Sequence, residues 1–196
     1  MTETASVRSR LLRPLVAAAV ALLLVLGFWY FRSPETTMIK AGMAAPDLEL
    51  PSGPLERKER LSSFRGRPVL LVFFMSSCHI CATELPQVER LHRELRTRGL
   101  VVLGVSVDPD YAAREKFVRE TGITFGILQD PSGEAIRQAY GSYKMPEAYL
   151  IDPLGKVAAV YVGSVSWRGP EVRERIEKLL PPPLGDPRPL PRRPPG

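Results

Sequence analysis

Residues 68–91 read PVLLVFFMSSCHICATELPQVERL, and this stretch decides the fold. Pro68 to Phe74 is a continuous apolar run rich in β-branched and aromatic residues, as a strand buried on both faces requires. After Cys78 the pattern changes period. Leu85, Val88, Leu91 and Leu95 recur at helical spacing, and Gly99 ends the helix. A buried strand therefore runs into a helix, and Cys78-His79-Ile80-Cys81 sits at the junction. Unpaired N–H groups at a helix start favour an anion. A thiolate at Cys78 gains from that field, and the thiolate is the nucleophile. Cys81 lies one turn further in, within disulfide reach and less exposed.

Outward from this unit, strands and helices alternate. Leu100 to Val107 reads as a second buried strand and Tyr111 to Glu120 as an amphipathic helix. Phe125 to Leu128 is a short strand, and a short helix runs through Tyr140. Ala148–Ile151 and Val157–Val162 are strands joined by Asp152-Pro153-Leu154-Gly155, a strong turn signal. Glu171 to Leu180 is a final helix. The expectation is an α/β fold, a central mixed β-sheet flanked by helices.

The flanks differ from this domain. Residues 15–31 carry no charge and would reach about 26 Å as a helix, near the lower limit for spanning a bilayer. Arg8, Arg10 and Arg13 precede the run, and Trp29, Tyr30 and Phe31 close it. This reads as a cytoplasmic N-terminus at 1–14, a transmembrane signal anchor at 15–32 and a linker at 33–41. The domain is then 42–180, on the extracytoplasmic side of an inner membrane. The boundary lacks the small-residue site of a cleaved leader. Residues 181–196 hold 8 of the 20 prolines and read as a disordered Pro/Arg-rich tail.

The formal charge of +6 lies mostly in these ends, which carry 7 Lys/Arg against 3 Asp/Glu. A nucleic-acid binder would concentrate it on the folded part, so no nucleic-acid partner is expected. The chain has 2 cysteines, too few for a stapled scaffold, and a Cys78–Cys81 bridge closes too small a loop to constrain the chain. No metal or other cofactor is expected. Zinc would need four ligands, and the only other side chains of that kind, His79 and His92, do not supply them. His92 reads as an exposed helix residue. His79 between the cysteines either stabilises the thiolate as a cation or faces solvent with little effect. Glu84, three residues after Cys81, is either a surface acid or a buried carboxylate exchanging a proton with Cys81.

The chain resembles the TlpA/ResA/CcmG group of membrane-tethered thioredoxin-like proteins over roughly Gly42 to Leu180. The markers are Ala45-Pro46-Asp47-Leu48, Leu61-Ser62-Ser63-Phe64-Arg65-Gly66, the segment from Cys78 to Pro86, and Met145-Pro146-Glu147-Ala148-Tyr149-Leu150-Ile151-Asp152. The resemblance implies a thioredoxin-like fold, with Pro146 a cis-proline facing the cysteines. Met145 would then pair, strand-like, with an extended substrate segment, and the acid at Glu84 would be functional. It implies a thiol–disulfide oxidoreductase that reduces disulfides in partner proteins, apocytochrome c or a copper-protein thiol pair, with electrons from a membrane thiol carrier. Catalytic residues are then Cys78, Cys81 and Glu84; substrate-binding residues are Met145, Pro146 and His79. Ser77 and Ile80 replace the group's usual Trp and Pro and leave the direction of electron flow open. A Sco-like copper chaperone using Cys78, Cys81, His79 and Met145 is the alternative from the binding class. A peroxiredoxin is a weaker one, since Met75 stands where that family places Thr.

Overall fold

The computed structural model describes residues 20–25, 38–52 and 57–182. The chain divides into two units, residues 1–35 and 36–196. In the first, the described residues 20–25 are helical. The rest of the expected anchor at 15–32 lies outside the described residues, as does the expected tail beyond 182. Among the described residues no helix is long and apolar enough to cross a membrane.

The second unit is built on the anticipated strand. Strand β3 (Val69–Phe74) is buried at every position, after β1 (Glu49–Ser52) and β2 (Arg57–Arg60). Helix α1 (His79–Leu95) leads to β4 (Val101–Ser106), α2 (Tyr111–Thr121) and β5 (Gly126–Gln129). Then follow α3 (Glu134–Tyr140), β6 (Glu147–Ile151), β7 (Val157–Val162) and α4 (Pro170–Glu177). The sheet runs β2-β1-β5-β4-β3-β6-β7. Strand β3 is parallel to β4 and antiparallel to β6, which makes the sheet mixed and puts β3 in its interior.

Alternation along β3 splits the core into two layers. Leu70, Val72 and Phe74 meet Leu85, Val88, Leu91 and Leu95 of α1 and Ile176 of α4. Val69, Leu71 and Phe73 meet Ile136 and Tyr140 of α3 on the other face. Leu70, Leu71, Phe73 and Phe74 are fully buried. Each such side chain contributes about 1.5–3 kcal/mol relative to exposure, so the sheet interior carries much of the stability. Gly104 on β4 has a packing reason: an added Cβ would lie 2.9 Å from the Phe74 ring.

Three details depart from the sequence reading. The hairpin β1–β2 was not anticipated, since β2 is Arg-Lys-Glu-Arg and pairs at the sheet edge. The domain begins inside the expected linker: Ile39 is buried with its N–H on the Tyr140 carbonyl, 3.4 Å. His92 is half-buried beside the Phe125 ring, at 6.1 Å between centroids, and burial lowers its pKa. Close by, Glu89 accepts from the Thr124 backbone N–H and hydroxyl and pairs with Arg93. Burial pushes its carboxyl up, but these partners outweigh it and hold the group below its usual range.

Candidate active site

The site lies at the carboxyl ends of β3 and β4, where a loop of four residues carries the chain from Phe74 into α1. Cys78 is the N-cap residue of α1, with extended backbone (φ −85°, ψ 109°). Its Sγ accepts from the Cys81 backbone N–H at 3.1 Å. Ser, Thr, Asp and Asn usually hold this position because their side chains satisfy an orphan N–H. Here sulfur does it, and a thiolate would do so more strongly, because a charged acceptor strengthens the bond. The helix start thus stabilises the reactive form of Cys78.

The two cysteines are joined in a disulfide with Cα atoms 5.2 Å apart. They differ in exposure. Cys81 is fully buried, inside the core layer under α1, while Cys78 is partly exposed. Solvent therefore reaches the pair through Cys78. Ser77, His79 and Ile80 are exposed around it. Exposure of His79 fits either reading of that residue.

The second loop converges on the same sulfur. The Met145–Pro146 peptide bond is cis, and the Met145 carbonyl oxygen lies 3.7 Å from Cys78 Sγ. Met145 is partly exposed and Pro146 buried. The Pro146 carbonyl accepts from Gly163 N–H at 2.9 Å, which ties this loop to the end of β7. Glu147 anchors the loop from below. Its carboxylate accepts from the Ser142 hydroxyl and, at 2.6 Å, from Tyr149 OH. Burial, with this bond adding to it, raises the Tyr149 pKa.

Glu84 is buried, at 3% exposure, which rules out the surface-acid reading. Its partners were not legible beforehand. One oxygen accepts from Val165 N–H at 2.6 Å and the other from Trp167 Nε1–H at 2.9 Å. Both donors belong to the segment between β7 and α4. Trp167 is buried and packs edge-on against Tyr161. A buried indole N–H needs an acceptor, and that was the available signal. The structure thus makes Glu84 a clasp between the active-site helix and the last third of the chain. Among the described residues no three His, Cys, Asp or Glu side chains gather as metal ligands.

Residues 41–160 match the model of the AhpC/TSA family. The chain belongs to the AhpC/TSA family. With a CxxC pair at the start of its active-site helix, it is a thiol–disulfide oxidoreductase. It is 32% identical over 173 residues to thiol-disulfide oxidoreductase ResA of Geobacillus thermodenitrificans, covering 85% of this chain and 97% of that one. It is 28% identical over 128 residues to ResA of Bacillus subtilis, covering 65% and 70%. Among solved structures it is similar to a thiol:disulfide interchange protein DsbE from Chlorobium tepidum. That likeness has a TM-score of 0.65 and 29% identity, over 73% of this chain and 99% of that one. A protein disulfide isomerase from Bacteroides thetaiotaomicron, at TM-score 0.65 and 23% identity, shares the thioredoxin-like fold.

Proposed function

We propose that this oxidoreductase is a membrane-anchored reductant of disulfides in extracytoplasmic proteins, of the kind used in cytochrome c maturation. The observation that carries the reading is the meeting of Cys78 Sγ with the Met145 carbonyl. It sets the nucleophile beside the partly exposed Met145, along which an extended substrate segment can lie. The Cys78 thiolate attacks one sulfur of the substrate disulfide. A mixed disulfide forms, and the other substrate sulfur leaves as a thiolate that takes a proton. Cys81 then loses its proton, with Glu84 on the same helix as the acceptor, and attacks Cys78 Sγ. The intramolecular disulfide forms, and the second substrate sulfur leaves as a thiol. A membrane thiol carrier returns two electrons and two protons to the pair.

The uncharged run at 15–31 behind Arg8, Arg10 and Arg13 supports the anchor and a domain on the outer side of the membrane. The names of the ResA and DsbE relatives support thiol–disulfide exchange as the reaction. Cys81→Ser removes the resolving thiol, so the mixed disulfide should accumulate on Cys78 in membrane preparations. Diagonal electrophoresis reads it. Substrate bound through Cys78 and released by dithiothreitol is expected; no such adduct would overturn the exchange mechanism.

A further inference from the structure

One carboxylate near the pair plays no part in the cycle above. Asp108 follows the end of β4, and its oxygens reach across to the loop that carries Cys78. Oδ1 accepts from Ser76 N–H at 2.8 Å and from Ser76 Oγ at 2.5 Å. Oδ2 accepts from the same N–H at 3.0 Å and from Ser106 Oγ at 2.7 Å. No Lys or Arg is among these partners. Ser76 stands two residues before Cys78, the N-cap of α1, so Asp108 is tied to the loop that enters the N-terminal end of α1.

We propose that Asp108 is a positioning residue and a second anion at the N-terminal end of α1, and that it keeps the Cys78–Cys81 pair reducing. The inference rests on the oxidoreductase reading and supplies its direction. Two effects act together. Grasping Ser76 by both N–H and hydroxyl fixes the turn whose Met75 carbonyl accepts from Cys78 N–H at 3.1 Å. That places the sulfur over the helix start. The negative charge there then opposes the thiolate that the helix favours. Stabilising the thiolate stabilises the reduced pair and makes the disulfide a stronger oxidant. Opposing it works the other way and favours giving electrons away.

The other charged or titratable groups on the elements meeting at Cys78 are differently placed. His79 and Lys144 are exposed, and the positive charge of Lys144 acts against Asp108. Glu84 is held by Val165 and Trp167, and Glu147 by Ser142 and Tyr149. Asp110 caps α2 through Ala112 N–H. Among the described acidic and basic side chains, Asp108 is the one seen to bind the loop that leads into Cys78.

The test uses the full chain with Asp108→Asn and Asp108→Ser, both of which remove the charge; Asn keeps an acceptor at the reach of Ser76 and Ser does not. Asp108→Glu keeps the charge. The rate of Cys78 alkylation by iodoacetamide is followed against pH in the reduced protein, where buried Cys81 does not compete. The same proteins are equilibrated with glutathione, two molecules of thiol giving protein dithiol and glutathione disulfide. Loss of one charge beside the loop that carries Cys78 should raise thiol acidity about three- to ten-fold. The glutathione equilibrium should move toward the dithiol by a similar factor in both neutral variants, and Asp108→Glu should stay near wild type. Folded neutral variants with unchanged acidity and unchanged equilibrium overturn the inference, whatever their thermal stability. Wild-type protein that does not exchange with glutathione at all would overturn the oxidoreductase reading beneath it.

Discussion

Replacing Cys78 by serine is expected to abolish disulfide reduction, with turnover falling on the order of a thousand-fold or more. Cys81 cannot substitute for it, because it is fully buried and reaches solvent chemistry only through the Cys78 sulfur. The serine hydroxyl can still accept from Cys81 N–H as an N-cap, so the fold should survive. Insulin reduction by dithiothreitol, followed by turbidity, reads the activity, and thermal unfolding reads the fold. Activity retained above about a tenth of wild type would remove Cys78 from the nucleophile's role.

Glu84→Ala should be strongly destabilising for a substitution outside the hydrophobic layers. It leaves Val165 N–H and Trp167 Nε1–H without their acceptor. An unsatisfied buried donor costs about 1–3 kcal/mol. Val165 is half-buried and recovers part of that with water, so the expected loss is about 2–4 kcal/mol in urea unfolding. Glu84→Gln separates clasp from proton acceptor. Its amide oxygen satisfies one donor while its NH2 group faces the other, so part of the stability loss remains. It cannot accept the Cys81 proton, so release of the mixed disulfide should slow about ten-fold or more. A Gln variant that resolves the mixed disulfide at the wild-type rate would leave Glu84 as a clasp alone.

The same residues show where the sequence was readable. Strand β3 was plain because six consecutive buried positions need six apolar residues, with no alternation to be confused with a helix. Helix α1 was plain because its buried positions repeat at a single helical spacing. The β1–β2 hairpin was hidden, since its second strand is charged throughout and gains its place from backbone pairing at an edge. Cys78 and Cys81 were found from local context alone. Met145 and Pro146 needed the resemblance, because a cis bond leaves no periodic mark. Burial of Glu84 was open at helical spacing, and its partner Trp167 lies 83 residues further on. Asp108 was missed altogether. An acid just past a buried parallel strand, at the carboxyl end of the sheet where Cys78 also lies, was the signal for it.

The central claim is that Cys78 and Cys81 form a reducing pair, and its equilibrium potential tests that claim most directly. The protein is equilibrated with graded ratios of reduced and oxidised dithiothreitol, and the dithiol fraction is read by alkylation and mass. A value near that of thioredoxin, about −270 mV, is expected. A value nearer about −120 mV would make the pair an oxidant and contradict it.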